Sequence, residues 1–387
     1  MTEGTGPAAE LSDIFASTGY AAASPPKRLF QPWHLPRKQF VRRRQWLAQV
    51  DALLTNVPPD EDLRYLGLPG PDLLDIRLFH QELCGTRRMR FLGFSTGARN
   101  PEQRVELNIS LDEMRGFETV DERSHVVADD IRALARTDSV GHKSAVDAGP
   151  FDVINLDFCD NVLTEASDAD SIYDAIAALF GLQDRRAKPW ILLLTTRLDR
   201  STVSADIVDK LDAMVAGNVD SCAEFSDAYA ELVCGDPRVD GLLSGCAEDV
   251  WVDVFNVAVC KWMLGQAVAG DTKLEVKSCL SYRVAPGEGP DDIVSIALLL
   301  SPQIAPAPDS SGVATPSLPA VDECRMAAAM ARRLGKRRLV DGILAEDADL
   351  FDEMASETRG LLGQARYSED AYVEWLARQP RLPKANL

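Results

Sequence analysis

Phe151 to Asp160 reads FDVINLDFCD, an apolar, β-branched run that passes directly into acidic positions. Its hydrophobic half is continuous rather than alternating, the pattern of a strand buried on both faces of a parallel sheet. The acids then fall at the strand's carboxyl end, where open α/β sheets hold their ligands. Comparable runs recur on both sides: Leu63 to Leu68 (LRYLGL), Arg90 to Phe94 (RFLGF), His125 to Ala128 and Trp190 to Thr196 (WILLLTT) predict four further strands. Two more close the series, Leu274 to Val284 (LEVKSCLSYRV) and Ile293 to Leu300 (IVSIALLL). The Gly- and Pro-rich join Ala285 to Asp292 is too short for a crossover helix, so these two must pair antiparallel.

Helical periodicity fills the intervals. Pro36 opens a helix that runs to about residue 54, with Phe40, Leu47, Val50 and Leu54 on one face. Arg37, Lys38, Arg42 and Arg44 fall on the other, and Pro58-Pro59 ends it. Leu73, Ile76, Phe79, His80 and Leu83 mark the next helix, followed by one over 108–118 and an amphipathic one from Asp168 to Phe180. A largely helical stretch spans about 203–266.

The organisation read from this pattern is a tail over 1–26, a basic helical segment over 27–59 and an α/β domain over 60–301. A Pro/Ala/Ser linker follows over 302–320 (Pro302 to Pro319, PQIAPAPDSSGVATPSLP). Residues 321–387 are expected to be helical, with three helices near 322–338, 348–363 and 368–378, docked on the main domain or on a partner.

Composition changes this picture little. The 387 residues are 46% hydrophobic and 26% charged, ordinary for a globular protein. No apolar run is read as approaching the ~20 residues of a membrane span, and the first 26 residues lack an export pattern, so a cytoplasmic location is expected. Charge is more informative. On a net charge of −19, Lys27 to Arg44 (KRLFQPWHLPRKQFVRRR) holds no acid, and Arg332 to Arg338 (RRLGKRR) forms a second basic cluster. Such islands are either anion sites or scaffold cations that neutralise nearby acids and cover apolar surface with their stems. Trp33 and His34 beside the first are candidates to stack on a base, or to pack. Cysteines at 84, 159, 222, 234, 246, 260, 279 and 324 form no C-x-x-C pair and do not cluster with the four histidines, so reduced thiols and no structural metal are expected.

Five strands with helical connections, closed by an antiparallel hairpin, resemble the class I S-adenosylmethionine-dependent methyltransferase superfamily over about residues 60–301. The segment VINLD is similar to the (I/V)xLDP(F/Y) segment of tRNA guanine-N2 methyltransferases and three-Cys-motif partner proteins. It is more loosely similar to the (D/N)PP(Y/F) segment of amino-methyltransferases acting on nucleic acids.

The resemblance implies S-adenosyl-L-methionine as cofactor, lying across the first strands. It places Gly67, Gly70 and Asp72 in the first loop, Ser95 at the end of the second strand, and Asp129 and Asp130 at the end of the third. It makes Asp157, Asn155 and Asp160 the groups that accept protons from a target amine. Departures are visible too: Pro69 and Pro71 remove amide donors from the first loop, Ser95 stands where the family has a ribose-binding acid, and the prolines after the fourth strand are absent.

The expected function is therefore N-methylation of a nucleic-acid base, with Arg37, Lys38, Arg42, Arg43 and Arg44 contacting RNA or DNA phosphates. The alternatives are a non-catalytic module of the same fold that binds nucleic acid or a protein partner, and a generic nucleotide-dependent enzyme.

Overall fold

A computed structural model describes residues 26–85, 87–164, 171–184, 186–284, 289–303 and 321–380. Nearly all of the expected tail and of the expected linker, and part of the hairpin join, lie outside them. In chain order the principal elements are α1 (Pro36–Val41), a π-helical segment (Arg42–Leu47), α2 (Ala48–Leu54), β1 (Leu63–Gly67), α3 (Leu74–Leu83), β2 (Met89–Phe94) and α4 (Pro101–Arg115). There follow β3 (His125–Val127), α5 (Val140–Ala148), β4 (Val153–Asp157), α6 (Ile172–Gln183), β5 (Trp190–Arg197), α7 (Ala205–Ser221), α8 (Ala223–Val233) and α9 (Trp251–Ala269). The chain closes with β6 (Thr272–Tyr282), β7 (Ile293–Pro302), α10 (Glu323–Leu334), β8 (Arg338–Leu339), α11 (Val340–Glu346), α12 (Ala348–Gln364) and α13 (Glu369–Ala377).

The strands form one sheet in the order β3-β2-β1-β4-β5-β7-β6-β8. β1, β2, β3, β4 and β5 pair in parallel, whereas β7 enters antiparallel to both β5 and β6. The hairpin expected from its short join is thus present. This is a Rossmann-like methyltransferase sheet, and its switch point lies between β1 and β4, where the winding reverses. The two-residue β8, parallel to β6, was not expected; the helix read over 322–338 ends at Leu334, and β8 begins at its last expected residue.

Each sheet face carries its own core. Period-two alternation sends Leu66, Ile154, Leu156, Leu192 and Leu194 to one face, under α6–α10. Leu63, Tyr65, Val153, Ile191 and Leu193 go to the other, where Phe40, Trp46 and Val50 of the N-terminal helical segment cover them. A third, smaller cluster joins Phe30 to Tyr367, Tyr372 and Trp375, so the first and last described segments pack together.

Other expectations need correction. The helix read over 108–118 begins at Pro101, because Asn100 caps it by accepting from the Glu102 and Gln103 amides. The helix read from Asp168 begins at Ile172, capped by Ser171. α9 is a 19-residue helix long and apolar enough to span a membrane by length and composition alone. It is instead mostly buried in the core; Asp253 and Lys261, which pair with Arg337 and Glu323, broke the apolar run in the sequence. Cys222 and Cys324 were expected as free thiols but form a disulfide, Cα–Cα 5.6 Å, which ties α10 to the head of α8.

Candidate functional site

Because side chains alternate along a strand, Val153, Asn155 and Asp157 of β4 share the face that Tyr65 and Gly67 of β1 also share. Gly67 lies directly opposite Asn155 in the β1–β4 register. The four residues Tyr65, Gly67, Asn155 and Asp157 therefore converge at the switch point, beneath the N-terminal helical segment. Asn155 is 1% exposed, and its amide donates to the Tyr65 hydroxyl at 3.2 Å. That bond fixes which way the amide faces and leaves Asn155 Oδ1 buried with no hydrogen-bond partner among the described residues. An acceptor left this way is expensive to bury, and a bound water or a donor on a ligand would satisfy it.

Gly67 has a reason of its own. A Cβ there would lie 2.5 Å from the Tyr65 hydroxyl, so the glycine makes room for the residue that orients Asn155. Gly93 is likewise crowded, since a Cβ there would meet Pro69 at 2.7 Å and Val126 at 2.9 Å. Gly70 is open: an added Cβ would meet nothing within 4 Å. The first loop also holds Leu73 in a left-handed conformation (φ 52°) at the head of α3.

The N-terminal segment delivers cations to this edge. Lys38 Nζ donates to Asp157 Oδ1 at 2.5 Å and lies 4.4 Å from the centre of the Trp46 ring. The π-helical turn that follows α1 carries Arg42 onto Asp75 (2.5 Å), Gln45 onto Ser278 and Ser295, and the Trp46 indole N–H onto Ser295. Lys27 reaches Asp72, which also accepts from the Tyr367 hydroxyl at 2.9 Å. Burial pulls the Lys38 ammonium down, but Asp157, Tyr282 and Asp75 outweigh it and hold it above its ordinary range. Burial, reinforced by Asp75, pushes Tyr65 well above the usual phenol range, so it stays a neutral hydroxyl.

The other expected residues divide. Asp129 and Asp130 stand after β3, but Arg99 takes Asp129 and Arg132 takes Asp130. Burial works to raise the Asp130 carboxyl, yet its bonds to Arg132 prevail and hold it below the usual range. Ser95 follows β2 and its amide donates to Val127. Asp160 is exposed; its carbonyl accepts from the Arg197 amide and the Thr196 hydroxyl, so it anchors the loop after β4 rather than joining Asn155 and Asp157.

The five cations assigned to phosphate contact all face acids of their own chain. Arg37 pairs with Asp341, Lys38 with Asp157, Arg42 with Asp75, Arg43 with Glu82 and Glu357, and Arg44 with Glu353. Lys38 and Arg42, read on the face opposite the apolar stripe, are buried. His34 is fully buried while Trp33 is half-exposed, so His34 belongs to packing rather than to base stacking. Sequence reasoning missed Tyr65, Asp75 and Trp46. The first two read as members of apolar or helical runs, and only Gly67, two residues beyond Tyr65, hinted at crowding there.

No curated protein matches the chain. Among solved structures, the CurJ carbon methyltransferase is similar at 13% identity with a TM-score of 0.30, over 70% of this chain and 61% of that one. The chain thus spans less than two thirds of that structure's length. Fibrillarin from Aeropyrum pernix, solved with natively bound S-adenosyl-L-methionine, is similar at 13% identity with a TM-score of 0.31, over 67% of this chain and 76% of that one. A putative Zn-dependent alcohol dehydrogenase from Rhodobacter sphaeroides is similar at 11% identity with a TM-score of 0.28, over 70% of this chain and 98% of that one. A family match covers nearly every described element, from the basic segment through the last helix: over residues 27–377 the chain belongs to the PP_RS20740-like family.

Proposed function

We propose that this protein binds S-adenosyl-L-methionine at the carboxyl edge of its sheet and transfers a methyl group to an amine held at the end of β4. The observation that carries this reading is the convergence of Asn155 Oδ1, buried and without a partner among the described residues, with Asp157 at the switch point of a sheet ordered 3-2-1-4-5-7-6-8. The open approach at Gly70 fits the cofactor, and Gly70 and Ser95, with Asp129 and Asp130 once exchanged from Arg99 and Arg132, are the residues that would hold it. When bound, the cofactor supplies a methyl group already activated on sulfonium. The chain's own part is to accept protons from the nucleophile and to orient it, through Asp157 and Asn155. A nucleic-acid base as the target draws no support from the five cations, since each is engaged within the chain.

A second reading is favoured by specific contacts. Lys38 on Asp157, Lys27 on Asp72 and Pro69 against Gly93 are also what a non-catalytic module would show after its site had been filled by its own side chains. Calorimetry with S-adenosylmethionine and S-adenosylhomocysteine on the full chain separates the two. Binding in the micromolar range is the expected result, and silence at millimolar cofactor leaves the non-catalytic module.

A further inference from the structure

Among the described residues, Lys38 is the amine that the fold itself presents to Asp157. Its ammonium meets Asp157 on one side and the Trp46 ring on another, with the Tyr282 phenol beside it. Lys38 is 4% exposed, and the side chain of Asp157 is 22% exposed, so water reaches the carboxylate better than the ammonium. A carboxylate, an aromatic face and a phenol around one nitrogen form a recognition set for an alkylammonium, and the aromatic face continues to attract the cation once it carries methyl groups. Trp46 belongs to the π-helical segment and Lys38 to α1 before it, so the contact spans the junction between the two.

We propose that the amine site at the end of β4 takes a lysine-type primary amine, and that Lys38 is its internal occupant and a methyl acceptor of the chain itself. This inference rests on the cofactor reading given above. In the step, an Nζ proton passes to the Asp157 carboxylate and the freed lone pair forms a bond to the sulfonium methyl carbon. The carbon–sulfur bond breaks with its electrons going to sulfur, leaving methyl-lysine and a neutral thioether. The groups facing Lys38 are Asp157 of β4, Tyr282 of β6, Asp75 of α3 and Arg42 of its own segment; together they favour the protonated amine. The modification should therefore accelerate as pH rises above neutrality.

The test uses the full chain with methyl-deuterated S-adenosylmethionine, peptide mass mapping, and calorimetry with both cofactor forms. A deuterated methyl on Lys38 is expected, at least tenfold slower in Asp157→Asn and absent in Lys38→Arg, which keeps a cation opposite Asp157. Lys38→Met should also improve the affinity for the sulfonium form relative to the thioether by about tenfold, because Asp157 is then left uncompensated near a positive charge. Cofactor that binds while Lys38 stays unmodified, or a ratio that Lys38→Met does not move, overturns the inference and leaves the cofactor reading standing. Cofactor that does not bind overturns both.

Discussion

Asp152 and Asp157 stand at opposite ends of the same strand, and their surroundings set them apart. Asp152 precedes β4 at the sheet's amino edge, beside a cleft of about 510 Å³ lined by Asp60, Arg64, Arg186 and Lys188 among others. One of its oxygens accepts the Arg64 amide at 2.7 Å and the other accepts Arg186 at 2.5 Å, in a pair that is nearly buried on both sides. The backbone of Asp152 also joins the ladder, its amide to Arg64 and its carbonyl to the Ile191 amide. Every one of these bonds helps set the register of β1, β4 and β5. Among the described residues Asp157 has one charged partner, on a separate element, and its side chain is 22% exposed. An acid committed to register is scaffold, whereas one held by a single side chain remains available for exchange.

The strongest challenge to this contrast is Asp152→Ala. It strands Arg186 without its carboxylate and removes an acceptor for the Arg64 amide, and breaking a buried pair this way costs about 3–5 kcal/mol. Denaturant melts should show that loss. A cost under about 1 kcal/mol would erase the distinction between the two ends.

Acid should act on the carboxyl edge. Burial first, and Arg42 next, hold the His34 imidazole down at about 3, against an ordinary value near 6.5. Below pH 6.5 the unfolded chain takes a proton that folded His34 refuses, so stability falls with pH toward 3, by about 2 kcal/mol between pH 6.5 and 5. His34→Asn should flatten that slope. An unchanged slope would show that His34 does not govern it.

Asp157→Asn should cost less than Asp152→Ala, about 1–3 kcal/mol, because an amide still accepts from Lys38. A loss equal to that of Asp152→Ala would mean that both acids are scaffold. The smallest effect belongs to Tyr65→Phe, about 1 kcal/mol for one neutral hydrogen bond to Asn155. Its sharper signature is a lower affinity for an amine, since Asn155 is then free to turn its oxygen away.

Much of this contrast was legible in the chain. FDVINLD announced β4 because a fully buried strand needs a continuous apolar run, and its acids marked the carboxyl edge. The hairpin followed from a join too short for a helix. The start of α4 was also written in the sequence, as Asn100 followed by Pro101, although the periodicity drew attention further along. The partners were not legible. That Lys38 meets Asp157, and that Cys222 meets Cys324 rather than a neighbour in the evenly spaced set 222, 234 and 246, depends on packing between distant segments. Tyr65 was hidden for another reason: within LRYLGL a tyrosine that orients an amide looks the same as one that fills a core.

The parallel bridge between Lys27 and Tyr367, sealed by backbone bonds from Lys27 to Arg366 and from Ser368 to Lys27, bears on how the protein is made. One half of this clasp leaves the ribosome well before the other, since the whole sheet lies between them in sequence. Until Tyr367 emerges, Lys27 and Phe30 lack their partners from the later helices, and Asp72 lacks the Tyr367 hydroxyl. The cover over the first loop is therefore completed only after the sheet has been made, and the nascent sheet carries its carboxyl edge less covered until then.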